Sequence, residues 1–141
     1  MRLSKPIARL VTFAALFLST PAAATDLSGI ARTIDGDTIR VGNVKVRFNG
    51  VAAPERKTRA GEMARLQMQK WIDGRHVTCE LNGEVSYDRM IGTCYLDRTN
   101  LSAAIIAAGL ARDCPRYSGG RYREYETSAS RELPFPGYCR G

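Results

Sequence analysis

The chain begins with an apolar run, Leu10 to Leu18, set behind Arg2, Lys5 and Arg9 with no acid among them. Pro21 and the small residues Ala22-Ala23-Ala24 follow. A basic start, a short apolar run and a small-residue site in that order form a secretory signal, and the run is too short to anchor in a bilayer. Cleavage after Ala24 is expected, leaving residues 25–141 as an exported chain, periplasmic or secreted. From Ser28 the pattern changes to alternation. Ile39 and Val41 alternate with Thr38 and Arg40, and Val44, Val46 and Phe48 alternate with Lys45, Arg47 and Asn49. That period of two marks half-buried strands, and Gly42-Asn43 between them is a two-residue hairpin signal. Pairing Val41 with Val44 sets Thr38 opposite Arg47, so Asp37 and Arg47 meet at one end of the hairpin.

The period then lengthens. Ala64, Met68, Trp71 and Ile72 share one face of a predicted helix over Ala60 to Asp73, stopped by Gly74. Two more strands are predicted, His76 to Leu81 and Ile91 to Leu96. A tight Asn82-Gly83 hairpin would set Cys79 opposite Ser86, whereas a longer loop from Asn82 to Met90 would set Cys79 opposite Cys94 and present Tyr87 and Arg89. Asn100 is placed to cap a second helix, Leu101 to Ala108, ended by Gly109. Three regions result: the signal (1–24), a domain (25–113) and a tail (114–141).

Charge adds little once the signal is removed. The full chain has 21 Lys+Arg against 14 Asp+Glu, formally +7; the signal holds three of the positives, leaving 18 against 14. A mildly basic balance is compatible with a polyanionic ligand and does not single one out. The four cysteines, Cys79, Cys94, Cys114 and Cys139, are even in number and lack any C-x-x-C spacing. In an exported chain that pattern favours two disulfides over a zinc site. Three pairings are open; Cys79–Cys94 with Cys114–Cys139 is preferred, on the longer-loop reading. The tail holds five arginines and four tyrosines, with a short helix predicted over Arg121 to Arg131. Interleaved Arg and Tyr suit base stacking and phosphate contact. The acids largely offset that charge, which favours a tail wrapped on the domain with its arginines paired to Glu124, Glu126 and Glu132.

The chemistry concentrates in Asp35-Gly36-Asp37-Thr38, Arg47, Pro54-Glu55 and Tyr87-Asp88-Arg89. Cleaving a phosphodiester requires an activated water, positive charge on the non-bridging oxygens and help for the leaving oxygen. Asp37 suits a hard cation such as calcium, which takes carboxylate and carbonyl oxygens. Glu55 suits proton transfer from water, and Arg47 and Arg89 suit a phosphate clamp.

At these residues the chain resembles the staphylococcal nuclease (thermonuclease-like) family. The matching elements are Ile34-Asp35-Gly36-Asp37-Thr38, Arg47, Gly50-Val51 with Pro54-Glu55, Gly61-Glu62-Met63-Ala64, Tyr87-Asp88-Arg89 and Ala108-Gly109-Leu110-Ala111, in that order over Ser28 to Arg112. The resemblance implies an α+β fold, mainly β: a five-stranded OB-fold barrel with two to three packed helices and a disulfide-tied tail. It implies calcium-dependent hydrolysis of DNA or RNA, single strands first, by a monomer. Asp37 and the backbone carbonyl of Ala53 would bind the metal, with Asp35 close enough to help. Arg47, Glu55 and Arg89 would be catalytic, Tyr87 would touch a second phosphate, and Tyr117 would stack on a base. Two positions depart from the pattern. Ala52 stands where a metal-binding aspartate is usual, and Asp88 where a glycine is usual. The first departure defines the alternative, a non-catalytic OB-fold module that binds nucleic acid or protein.

Overall fold

A computed structural model describes residues 25–140; the expected signal, residues 1–24, lies outside the described residues. Strands β1 (Thr25–Asp35), β2 (Thr38–Val41) and β3 (Val44–Phe48) come first, followed by the short β4 (Val51–Ala52) and helix α1 (Arg59–Ile72). Next are β5 (His76–Ser86), β6 (Arg89–Leu96), β7 (Thr99–Asn100) and helix α2 (Leu101–Ala107). The chain ends in β8 (Arg112–Asp113), α3 (Pro115–Ser118), a turn Arg123–Tyr125, α4 (Ser128–Glu132) and a turn Gly137–Cys139.

The strands run β3-β2-β1-β5-β6-β7 across one sheet, and a parallel pairing of β3 with β6 closes it. Five strands, β1, β2, β3, β6 and β5, therefore form a ring, which gives an OB-fold-like α+β architecture. Closure leaves the ring without free edges. Apolar positions at the strand period point inward: Ala31, Ile39, Val41, Val46, Phe48, Val77 and Leu81 form one buried cluster with Ile105 and Ile106 of α2. Each fully buried aliphatic chain contributes roughly 1.5–3 kcal/mol of transfer free energy.

Helix α1 starts where its cap begins. The Thr58 hydroxyl accepts from the Gly61 amide, and Ala64, Met68 and Ile72 then bury the face that packs on β1. Asn100 caps α2 by accepting from the Ser102 and Ala103 amides. Both helices lie within a residue of the predicted bounds.

The β2–β3 register agrees with the hairpin reading, Val41 opposite Val44 and Thr38 opposite Arg47. The link between β5 and β6 differs from both readings. Cys79 does face Cys94, and the two are bonded, but no long loop intervenes. β5 continues to Ser86, the pairing slips between Leu81 and Val85, and a two-residue turn at Tyr87-Asp88 reverses the chain. A bulge absorbs Asn82-Gly83, so this turn-prone pair bends a strand where a hairpin was one prediction.

The tail also differs. The helix expected over Arg121 to Arg131 breaks at Glu126, which is extended, and Thr127 caps α4 afresh through Ser130. Glu126 leaves the helical path because its carboxylate accepts from the Asp113 amide at 3.0 Å and pairs with Arg112 at 3.4 Å. Among the described residues Glu126 takes Arg112 and Arg131, while Glu124 and Glu132 take no arginine. The Ser130 hydroxyl donates to the Ile106 carbonyl at 2.8 Å, which docks α4 on α2. Cys114–Cys139 is the second disulfide, as preferred.

Candidate functional site

The β1–β2 turn carries the first half of the site. Gly36 is required there by close approach, since a Cβ would lie 2.6 Å from the Ala64 Cβ of α1. The turn is thereby pressed onto α1, with Asp35 and Asp37 on either side of the glycine. Asp37 is nearly buried. One carboxylate oxygen, Oδ1, accepts from the Thr38 hydroxyl at 3.1 Å; the other, Oδ2, accepts from the Ala53 amide at 3.0 Å and lies 2.7 Å from Arg47 Nη1. The Phe48 amide donates to the Asp37 carbonyl at 2.9 Å. Hairpin register alone produces this charge pair, as expected from the sequence.

Asp35 has Oδ1 buried without a hydrogen-bond partner among the described residues, with Arg56 Nε 3.7 Å away. Burial, and then the nearby Asp37 charge, push its pKa above the usual carboxylate value, against the opposing pull of Arg56, Arg47 and Arg89. Two like charges beside an unpartnered oxygen favour either a proton or a cation.

Arg89 reaches the site through barrel closure. In the parallel β3–β6 pairing Arg47 lies opposite Ile91, so Arg89, two residues earlier, shares the face of Arg47. Its guanidinium donates to Ser86 Oγ at 3.3 Å and to the Ser86 carbonyl at 3.4 Å, and it sits 6.0 Å from the Tyr87 ring centroid. No carboxylate pairs with Arg89 among the described residues. The neighbouring Asp88 instead pairs with Lys45, whose hydrogen bond lowers the Asp88 pKa. That partner escaped the sequence reading because it sits across the β3–β6 closure.

Glu55 is exposed within the loop before α1, and its carbonyl accepts from the Thr58 hydroxyl at 2.7 Å. Tyr87 is 93% exposed at the tip of the β5–β6 turn, with φ 58°. A left-handed tyrosine costs of order 1–3 kcal/mol and persists where surroundings or function demand it.

One cavity of about 1030 Å³ gathers these groups. Asp35, Asp37, Arg47, Ala53, Glu55, Arg89, Tyr87 and Tyr117 all line it. Arg56 and Tyr138 line it too, and neither was singled out from the sequence. Their signals were slight: Arg56 follows Glu55, and Tyr138 precedes Cys139. Ala52 is absent from the lining. It is 3% exposed and packs in a separate buried cluster with Cys114, Cys139 and Phe135. The tail tyrosines divide as well. Tyr122 is buried in the core and accepts from Asn100 Nδ2, so it is not free to stack on a base.

The described residues hold no group of three or more His, Cys, Asp or Glu able to grip a metal. Asp35 and Asp37 nevertheless form a two-carboxylate donor set, one oxygen of it buried and unpartnered. Two carboxylates are fewer anionic ligands than a tightly held hard cation takes.

The fold is thus a closed OB-like barrel with two carboxylates and two arginines lining one cavity. Residues 45–132 match the family described as "Staphylococcal nuclease homologue", and the chain belongs to that family. It is 30% identical to the succinoglycan biosynthesis protein ExoI of Rhizobium meliloti (strain 1021) over 129 residues, covering 82% of this chain and 68% of that protein. It is 32% identical to Protein ParB of Escherichia coli over 111 residues, covering 70% of this chain and 63% of that protein. An uncharacterized endonuclease of Escherichia coli O157:H7 is 32% identical over 99 residues, covering 66% of this chain and 65% of that protein. The chain thus spans about two thirds of the length of these relatives.

Proposed function

We propose that the protein is an exported nuclease that hydrolyses phosphodiester bonds in DNA or RNA, with a divalent cation, calcium first, at Asp37, Asp35 and the Ala53 carbonyl. The observation that carries this reading is the convergence of two arginines, two carboxylates and Glu55 on one open cavity. Mere binding of an anion needs no carboxylate beside the clamp. A bound cation would polarise the phosphate and supply an activated water. Arg89, unpaired with any carboxylate among the described residues, is available to a non-bridging phosphate oxygen without first breaking an ion pair. Arg47 has to share its charge between Asp37 and the phosphate. Glu55, exposed at the cavity, accepts the proton of the attacking water. Export is supported by the two disulfides, and no helix among the described residues is long and apolar enough to cross a membrane.

A second reading has its own observation. Ala52 offers no carboxylate and is packed against a disulfide, so the cation has fewer anionic ligands than a tight site requires. On that reading the barrel holds nucleic acid without cutting it. One assay separates the two: cleavage of single-stranded DNA by the oxidised protein in calcium, in manganese and in chelator. Metal-dependent products at millimolar cation support the nuclease. Intact substrate in every condition, with binding retained at low salt, leaves the binding module.

A further inference from the structure

We propose that the Cys114–Cys139 disulfide builds a second wall onto this groove, with Tyr138 as a platform on which an unpaired base stacks beside Tyr117. The inference rests on the reading of the cavity as a strand-binding site and assigns it a residue and a structural device of its own.

Tyr138 lies in the turn Gly137–Cys139, next to the bonded cysteine, and Tyr117 lies in α3, which begins after Cys114. The two short elements pack together. Both residues are 51% exposed and both line the cavity with Arg47 and Arg89. Tyr138 makes no ring–ring or arginine–ring contact among the described residues, so its face is open to a ligand.

Its position is fixed from the barrel outward. The Cys114 amide donates to the Gly50 carbonyl at 2.9 Å. Gly50 has φ 73°, and a Cβ there would lie 2.5 Å from the Ser118 Cβ, so α3 sits directly on the β3–β4 turn that follows Arg47. From Cys114 the disulfide carries the constraint to Cys139 and thus to Tyr138. Among the described residues no sheet ladder holds the Gly137–Cys139 turn; the covalent bond holds it, with Ala52 and Phe135 packed around it. The result is two half-exposed aromatic faces flanking a two-arginine groove. That combination suits unpaired nucleotides, whose bases stack on rings while arginines track the phosphates. A duplex, whose bases are already stacked, gains nothing from it.

The test is fluorescence anisotropy with the oxidised full chain in chelator at low salt, on an oligothymidylate and on an abasic oligonucleotide of equal length. Tyr138→Ala is expected to weaken oligothymidylate binding about ten-fold, within the range for one stacked base, and to leave abasic binding unchanged. Tyr138→Phe should bind as the parent does, since stacking needs no hydroxyl. The double variant Cys114→Ala/Cys139→Ala should reproduce the Tyr138→Ala loss, and adding Tyr138→Ala to it should cost nothing further. If that double variant does not fold by circular dichroism, the two Tyr138 variants decide alone. Equal oligothymidylate affinity for parent and Tyr138→Ala overturns the platform and leaves the strand-binding reading standing. An equal loss on the abasic strand also overturns it. No binding by the parent overturns both readings together.

Discussion

The β2–β3 hairpin and the C-terminal segment face the same cavity and hold their side chains there by opposite means. Arg47 is placed by a ladder: Thr38 opposes it on one side, Ile91 on the other, and the strands around it are closed into a ring over the core. Tyr117 and Tyr138 sit on single helical turns, placed by one disulfide and a few polar contacts. A position on the ladder inherits its precision from the whole fold. A position on the tail inherits it from one bond. Damage to the first region should therefore spread, and damage to the second should stay local.

The largest effects should come from the arginines, which differ in the same way. Removing one preorganised donor aimed at developing negative charge costs about 10²–10³-fold in rate, so Arg47→Ala and Arg89→Ala should each lower cleavage by that order. Only Arg47→Ala should also unsettle the fold. It removes the cation paired with the nearly buried Asp37 carboxylate, which keeps only the Thr38 hydroxyl and the Ala53 amide, a loss of roughly 1.5–3 kcal/mol for a hydrogen bond to a charged group. Arg89 bonds only Ser86, so its removal should change stability by less than about 0.5 kcal/mol. Initial rates on single-stranded DNA and urea midpoints measure both. An unchanged midpoint for Arg47→Ala would break the contrast on the barrel side.

The two disulfides sharpen it further. Cys79–Cys94 joins residues already opposite in the β5–β6 ladder, at a separation of 15; Cys114–Cys139 spans 25 and fastens a segment with no ladder. Cys79→Ala/Cys94→Ala should lower global stability by about 3 kcal/mol and leave nucleic-acid affinity intact below the melting temperature. Cys114→Ala/Cys139→Ala should loosen the tail first. Trypsin should then cut at Arg116, Arg123 and Arg131 well before the barrel melts. A single cooperative loss of tail and barrel in that variant would show that the tail is part of the core after all.

Ala52 lies where the two regions meet, since β4 pairs with β8 and its methyl packs on the Cys114–Cys139 bond. Restoring a carboxylate by Ala52→Asp should therefore cost about 1–3 kcal/mol, the penalty of burying a polar group without a partner, with no gain in cleavage. Thermal melts and rates on the same preparation check this. Faster cleavage at unchanged stability would mean that the aspartate escapes toward the cavity.

How much could be read from the sequence follows the same division. The hairpin was legible because Gly42-Asn43 and strict alternation fix its register, and with it the Asp37–Arg47 pair. Arg89 could be named as chemistry, but its place beside Arg47 depends on parallel closure between β3 and β6, which no local pattern encodes. Lys45 with Asp88 was hidden for the same reason. In the tail, four tyrosines look alike in sequence. Only the tertiary fold distinguishes buried Tyr122 from open Tyr138, and only Glu126 turning inward toward Arg112 breaks the helix predicted there. Asn82-Gly83 misled because turn chemistry also serves a bulge.

The smallest effect concerns Asp35, where function and stability oppose each other on the barrel side. Burial foremost, and the Asp37 charge after it, raise its folded pKa above that of the unfolded chain. The folded state thus prefers Asp35 protonated. That preference stabilises fully below the unfolded pKa and is lost as pH rises through the folded value. At neutral pH the charged form is a net cost, eased by Arg56, Arg47 and Arg89. Asp35→Asn should therefore melt slightly higher than the parent at pH 7 in chelator, and the difference should shrink below about pH 4, where the carboxyl protonates. Added calcium should reverse the order, because a cation bound only by the folded parent stabilises it by mass action. A variant that melts lower in chelator, or a parent indifferent to millimolar calcium, would remove Asp35 from the cation site and leave Asp37 to hold the charge with Arg47 alone.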